Sequence, residues 1–554
     1  MPAPALAKTL SRGTAWMVAS NIVTKGASLV TFAVVAGKLR HDEIGVWTMA
    51  FSFAAFTQFF RDGGVSQLLI QRGEKEYENL AGPVFWLALL FNVATAGVLA
   101  ALAPFAASPW FYNEPRLLPL LLIMAATMPF MTPSTVLWVR LHTQLRFGAA
   151  TKVTTISALI RYGGTIAFVL LGFGPMSFVL PLPLVAIYEN AAFYAIVRDR
   201  PWARPPRIDL WGGLFKDSKW LVFVTLSFSV VNLGPFFVLG KLLTAEELGV
   251  FSMSFQMVTQ IDHLLSATAS AVLFAALAKL NEERERQRAA TLRAARLMTL
   301  MSSIASLGLA ATVRPLEQIL WGGKWEPAVL PAQIVALVFA WRVLMWVPAP
   351  ALQAQGRFRF SATLVLVAGI GLTVGAAIGA KVGGGSPVQI ALGIAIFVMV
   401  GFLPLALWGL REVGVSRRQV LRQTVPTWLC VVLAGAGAIG VYELVHPHLL
   451  GAIVRPHLGL TNPWDAQALV RTWAMESAAF PIGSGAGGGY VGALMSGVTR
   501  LVWERRLVGL LDFLITGGAF ALLTYATLRV FMRGLLQELA GVLPARLVFV
   551  RRFV

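Results

Sequence analysis

The sequence predicts an all-α protein that crosses a membrane many times. Of its 554 residues, 57% are hydrophobic and only 13% are charged, whereas a soluble domain is roughly a quarter charged. Apolar stretches near the ~20 residues needed to cross about 30 Å of hydrocarbon recur from end to end. Examples are VFWLALLFNVATAGVLAALAPFAA from Val84 and LVLVAGIGLTVGAAIGA from Leu364. The short alternating segments of a membrane β-barrel are not seen.

Hydropathy and chain breakers place about fourteen spans. The first six fall near 14–37, 44–70, 80–107, 117–140, 149–172 and 176–197. They are separated by polar or Pro-containing segments such as LRHDE, RGEKEYE, WFYNEPR and TQLRF. RDRPWARPPR leads into a second set near 215–240, 247–278, 291–313, 327–353, 361–380 and 388–410. Two more follow near 421–445 and 507–532, with a Pro-, Gly- and Trp-rich insert at 446–506 between them.

An even number of spans puts both termini on one side, and the positive-inside rule selects it. With the N-terminus in the cytoplasm, most Lys and Arg fall inside, in RDRPWARPPRIDLWGGLFKDSK, AKLNEERERQRAATLRAAR, REVGVSRRQVLR and VFVRRFV. The expected placement is a bacterial inner membrane with both termini cytoplasmic. The net charge of +20 is therefore no nucleic-acid signature, because it sits in short loops between apolar spans. These loops read as topology determinants and contacts for anionic lipid. NEERERQR, at 281–288, reads as a solvated helical extension with i,i+4 ion pairs. Cys430 is the single cysteine, so neither an internal disulfide nor a cysteine metal site is expected. No cleavable signal pattern precedes the first span, which is expected to stay in the mature protein.

The chain repeats itself. GKLRHDEIGVWTMAFSF from Gly37 is echoed by GKLLTAEELGVFSMSFQ from Gly240, aligning Glu43 with Glu247 at an offset of 204. Glu114-Pro115 matches Glu326-Pro327, and Arg146-Phe147 matches Arg359-Phe360. The pairs keep their order and nearly their phase. Six helices per repeat is an even number, so the halves share one orientation, as parallel repeats about an axis along the membrane normal. The expected organisation is an N-lobe at 1–200, a C-lobe at 201–412, and two appended helices at 413–554. Two such six-helix lobes suit a transporter that rocks around a central cavity.

In order, GKLRHDEIGVWTMAFSF, RDGGVSQLLIQRGE, WFYNEPRLLPLL and RLHTQLRFGAATK resemble the Wzx-type oligosaccharide flippases, and more closely the WzxC-like polysaccharide export proteins. Their superfamily also includes MATE drug exporters and lipid II flippases. The resemblance covers about residues 8–430 and weakens at the 446–506 insert. It implies a fourteen-helix, two-lobed fold. It also implies movement of a polyprenyl-pyrophosphate-linked oligosaccharide to the outer leaflet, in O-antigen, capsule or exopolysaccharide biosynthesis. Polysaccharide polymerase or export proteins are the protein partners it suggests.

Such a flippase needs no catalytic residue, cofactor or metal. It needs a wet cationic cavity for a pyrophosphate and a greasy opening for the lipid tail. A charge at the membrane centre costs roughly 2.5–3.5 kcal/mol on insertion scales, so each one needs a reason. Lys25 lies mid-helix, and Asn21, Lys25 and Ser28 form one stripe at +4 and +3 spacing. The stripe recurs as Thr225, Ser229 and Asn232, uncharged. Thr154, Ser157 and Arg161 share a face, and Arg61 stands beside Asp62 before Gly63-Gly64. Lys25, Arg61 and Arg161 are the expected pyrophosphate ligands, with Asn21, Ser28, Asn232 and Arg342 completing the set. Against this stand a structural Arg161–Glu189 pair and cation–π packing of Arg342 between Trp341 and Trp346. Asn232, just before Pro235, stands where a loosened helix frees carbonyls for an ion or a sugar. Asp262 and His263 are the candidate coupling site for H⁺ or Na⁺, with an interlobe hydrogen bond as the plainer reading.

Other motifs fail on context. GSGAGG at 483–488 lacks the strand and helix of a dinucleotide site. His446, His448 and His457 are expected in an outer loop, with no metal role. Trp110, Phe111 and Tyr112 read as interfacial anchors, with sugar stacking as the alternative. Two other functions compete: a membrane glycosyltransferase or ligase with His41-Asp42-Glu43 as its acidic group, and a MATE-like exporter of organic cations. The repeat weakens the first, since TAEE fills the equivalent place; a cationic cavity weakens the second.

Overall fold

The computed structural model describes residues 3–58, 65–260, 277, 283–355, 357–458 and 488–532, and among these every regular element is helical. The first half forms α1 (Ala3–Lys38), α2 (His41–Gln58), α3 (Val65–Arg72), α4 (Glu74–Ala107), α5 (Leu117–Thr127), α6 (Thr132–Thr143), α7 (Phe147–Leu170) and α8 (Pro181–Val197). Next come α9 (Trp211–Leu242) and α10, which is described over 245–260. The rest forms α11 (Arg284–Trp321), α12 (Glu326–Arg342), α13 (Pro348–Ala354), α14 (Phe358–Val382), α15 (Pro387–Phe397), α16 (Leu403–Glu412), α17 (Arg417–Leu458) and α18 (Gly488–Phe531).

Eleven candidate spans are long and apolar enough to cross a membrane among the described residues. Each falls on one of the expected spans. The expected spans near 44–70 and 247–278 run into residues outside the description. In α9, which runs unbroken over Trp211–Leu242, the apolar stretch identified among the described residues is Leu226–Leu242, overlapping the expected span near 215–240.

The chain forms two compact units. One comprises Met1–Met253 with Gly356–Phe397, the other Ser254–Gln355 with Val398–Val554. Within the first, α1 packs along α7, and α9 packs along α14. These are the equivalent helix pairs of the two sequence repeats. Its buried apolar clusters gather where α3, α4 and α6 meet (Leu69, Leu80, Val84, Val139) and where α6, α7 and α8 meet (Leu137, Val153, Phe193). Beside the first cluster, Arg140 and Arg204 each approach Glu78 at 2.7 Å, and Arg204 also bonds Asp199 at 2.8 Å. Arg140 stacks 4.3 Å over Tyr77. Arg204, one of the basic-loop residues read as a topology determinant, therefore also ties its loop to α4.

Within the second unit, α11 packs on α12, α17 and α18. α17 and α18 run antiparallel, joined at Thr527–Cys430 near one end and His446–Asp512 near the other. At 42 and 44 residues they extend about 60 Å, twice the hydrocarbon thickness. Residues 446–458 and 488–506, expected in a loop, continue these two helices; the remainder of the insert lies outside the described residues. Pro447 does not end α17, because a helix held against neighbours tolerates one lost backbone bond. The described part of the 281–288 segment is largely exposed and helical from Arg284, where α11 begins. Among the described residues its ion pairs are Arg286–Glu283 and Arg288–Glu285, at i,i+3. Glu282, which would make the i,i+4 pair with Arg286, lies outside the described residues.

Candidate polar site on helices α1 and α7

The α1–α7 pair is parallel and in register. Lys152 sits 5.3 Å from the Trp16 ring, and the Ser20 hydroxyl meets the Thr155 hydroxyl at 2.5 Å. Extending that register by one and a half turns brings Lys25 level with Ile160 and Arg161. At about 100° per residue, Asn21, Lys25 and Ser28 fall within about 60° of one another. They lie about 90° to one side of the Ser20 contact line. On α7, Thr154 and Arg161 lie about 100–120° from Thr155 in the opposite rotational sense. For two parallel helices that geometry puts both stripes on the same side of the pair. Ile156, on the opposite side of α7, is exposed, as are Ile22 and Leu29 on the outer side of α1.

Asn21, Thr154 and Arg161 are exposed, and Lys25 and Ser28 are half-buried. Ser157 departs from its expected face: it is 5% exposed and returns its hydroxyl to the Val153 carbonyl. Among the described residues, neither Lys25 nor Arg161 is joined to a carboxylate, so the Arg161–Glu189 pair is not formed. The arrangement is a two-cation face lined by small hydroxyl and amide groups, a surface chemically suited to a polyanion.

The other expected residues are placed as follows. Asn232 is half-buried on α9 and donates to the Phe228 carbonyl, a bond to its own helix. Arg342 belongs to the second unit, is 1% exposed, and lies 4.7 Å over Phe339 of its own helix. Arg61, Asp262 and His263 lie outside the described residues, as does the side chain of Thr225. Among the described residues no cluster of three or more metal-type ligands occurs.

The repeated Gly37 and Gly240 stretches meet each other within the first unit. A methyl on Gly45 would strike the Ala245 carbonyl, and one on Gly249 would strike the His41 carbonyl. These are equivalent contacts exchanged between equivalent residues, the signature of a two-fold axis. Thr48, one turn along, donates to Ser252, its own counterpart, at 3.1 Å. Glu43 accepts from the Arg40 amide at 2.7 Å and Glu247 from the Thr244 amide at 2.9 Å, so each caps its helix. Arg116 bridges Asp42 and Glu114, both at 2.8 Å, tying the 108–116 loop to the start of α2. The Arg116 hydrogen bond is the main cause holding Glu114 below the usual carboxylate range. Burial pushes Asp42 upward, but bonding to Arg116 and the charges of Arg40 and Arg116 outweigh it.

The aromatic triplet of that loop divides. Trp110 is 83% exposed, as an anchor requires. Tyr112 is instead buried and donates to the Phe237 carbonyl, and Phe111 packs among Phe53, Tyr112 and Phe237. Their size and the neighbouring α9 backbone draw these two inward.

A pair that sequence reasoning set aside lies in the second unit. His446 Nδ1 and Asp512 Oδ2 are 2.6 Å apart, with the Tyr442 ring stacked on the imidazole at 4.9 Å. No local spacing announces it, because the partners are 66 positions apart on different helices.

Comparison with known proteins bears on what this architecture serves. Residues 34–330, more than half the chain, match the family model described as "Polysaccharide biosynthesis protein". The chain belongs to this family. Among curated relatives, the teichuronic acid biosynthesis protein TuaB of Bacillus subtilis is 26% identical over 408 residues, spanning 72% of this chain and 82% of that one. The succinoglycan biosynthesis transport protein ExoT of Rhizobium meliloti is 24% identical, spanning 58% and 64%. The lipopolysaccharide biosynthesis protein WzxC of Escherichia coli is 22% identical, spanning 60% and 67%. Of solved structures, lipid II flippase MurJ in an inward closed conformation superposes with a TM-score of 0.60. It covers 91% of this family member and 98% of itself at 13% identity. An inward-facing MATE family transporter of the MOP superfamily gives 0.55 at 13% identity, over 72% and 98%. At such identity these likenesses concern the fold.

Proposed function

We propose that this polysaccharide biosynthesis family member is a flippase. It moves a polyprenyl-pyrophosphate-linked oligosaccharide from the cytoplasmic to the outer leaflet of a bacterial inner membrane during cell-surface polysaccharide synthesis. The observation that carries the reading is the α1–α7 face, where Lys25 and Arg161 stand level, without carboxylate partners among the described residues. Two uncompensated cations inside a membrane are costly unless an anion visits them. The curated relatives, named for teichuronic acid, succinoglycan and lipopolysaccharide synthesis or transport, supply the class of anion: a lipid-linked saccharide.

In this reading fourteen helices form an N-lobe at 1–200, a C-lobe at 201–412 and an appended pair, with both termini cytoplasmic. The pyrophosphate binds Lys25, Arg161 and Arg61, while Asn21, Ser28 and Asn232 contact the headgroup; Arg342, buried over Phe339, takes the packing role instead. Asp262 and His263 serve as a coupling-ion site. The lobes rock about the α2–α10 crossing, the headgroup is released outside, and the tail stays in lipid. The test is the double variant Lys25→Gln/Arg161→Gln, expressed in cells that depend on this protein for their polymer. Polymer yield is expected to fall at least about tenfold, a loss of about 1.4 kcal/mol or more in binding or transfer. Unflipped lipid-linked saccharide should accumulate on the cytoplasmic leaflet. Normal yield at normal protein level would overturn the assignment.

A further inference from the structure

We infer that His446 and Asp512 form a proton-binding site between α17 and α18 that is loaded and unloaded during transport. Its role in transport rests on the flippase reading; its chemistry does not.

Asp512 is only 1% exposed, lies within a candidate membrane span, and is therefore expensive to keep ionised. One carboxylate oxygen meets His446 Nδ1 at 2.6 Å, and the other has no hydrogen-bond partner among the described residues. Arginine is the counter-ion that cannot lose its charge, and the nearby arginine is committed elsewhere. Arg314 of α11 binds Glu443 of α17 at 3.1 Å and Glu326 of α12 at 3.2 Å. That cluster carries one positive and two negative charges, so it does not neutralise Asp512. Arg506 stands six residues away on α18, about 9 Å along the axis, and His448 is exposed beyond His446. The partner facing Asp512 is thus an imidazole, whose positive charge depends on a removable proton.

The pair is more open on its imidazole side than on its carboxylate side. The His446 side chain is 12% exposed and that of Asp512 1%. Tyr442 covers one ring face at an interplanar angle of 19°. A proton taken from water by imidazole Nε2 makes an imidazolium, and the Nδ1–H hydrogen bond then neutralises the carboxylate. Its return to water leaves a neutral imidazole beside a buried anion. α17 and α18 therefore meet across a neutral contact in one state and an uncompensated charge in the other. The two states favour different separations of the helices.

Two measurements on the full-length protein test this. The first is the acid-minus-alkaline infrared difference spectrum of purified protein. The wild type should show imidazole bands coupled to a change in a carboxylate stretch; Asp512→Asn should lose the carboxylate change and His446→Gln should lose both. Identical spectra for wild type and Asp512→Asn would overturn the site. The second is transfer of radiolabelled lipid-linked saccharide in membrane vesicles, with and without an imposed pH gradient. The gradient should accelerate wild-type transfer at least fivefold, and neither variant at matched protein level. Variants that keep the response, or a wild type without one, would overturn the coupling role while leaving the flippase reading intact. Absence of wild-type transfer under every condition counts against the flippase reading instead, and the infrared result alone then decides the site.

Discussion

Lys25 illustrates how a single residue carries functional information in a membrane protein. Its position a dozen residues into an apolar helix is legible from the sequence, and so is its stripe with Asn21 and Ser28. What it stands beside is not legible: the level with Arg161 depends on the α1–α7 register, which Trp16–Lys152 and Ser20–Thr155 establish. If charge rather than shape matters at this position, Lys25→Arg keeps most polymer yield and Lys25→Gln does not, measured in the same export assay. A second residue-scale prediction concerns Arg116. Asp42 and Glu114 are both held below their ordinary values. The stabilisation they share with Arg116 is therefore present above about pH 4 and is lost as pH falls through their lowered values. Arg116→Ala should lower thermal stability slightly at neutral pH, by at most about 1 kcal/mol for so exposed a pair. The deficit should vanish on acidification below the carboxylate range, as followed by heat-induced aggregation in detergent. A deficit equal at all pH values would mean the loop is held by Tyr112 and Phe111 instead.

At the scale of elements, the repeated Gly37 and Gly240 stretches are the clearest case of a sequence pattern whose meaning lies in packing. The echo marks an internal symmetry, and the structure adds that the two copies touch. Gly45 and Gly249 are glycine because each faces the other copy's backbone carbonyl too closely for a methyl. Thr48→Cys with Ser252→Cys, in a Cys430→Ala background, should cross-link on mild oxidation, given the 3.1 Å between the native hydroxyls. Under alternating access the cross-link arrests export and reduction restores it; undiminished export in fully cross-linked protein would remove this crossing from the transport cycle. The α14–α15 contact makes a contrasting prediction. A side chain at Gly379 meets the Gln389 carbonyl, and Gly393 presses on the Gly375 carbonyl, as small residues allow in membrane helix pairs. Gly379→Leu should therefore lower the unfolding temperature markedly and reduce folded yield, a packing loss of about 1–3 kcal/mol or more. Sequence reading saw this helix only as apolar, because hydropathy reports the partition of a helix into lipid and not which neighbour it approaches.

For the whole molecule, the charge bias predicts that reporters fused to either terminus are active only in the cytoplasm. A periplasmic reading at one end would require an odd number of spans. Composition, hydropathy and breakers determined the all-helical membrane class, most span positions and the repeat, because burial in hydrocarbon is a property of each segment taken alone. The motifs shared with relatives determined the family. Only tertiary structure decided which helices pair, that Tyr112 faces inward while Trp110 faces out, and that Ser157 is turned from the polar face. It alone joined His446 to Asp512, across two helices that continue where the sequence suggested a loop. Such pairings depend on the relative rotation and register of helices that are each equally stable in lipid. No local pattern encodes that choice; packing and polar satisfaction between the helices select it.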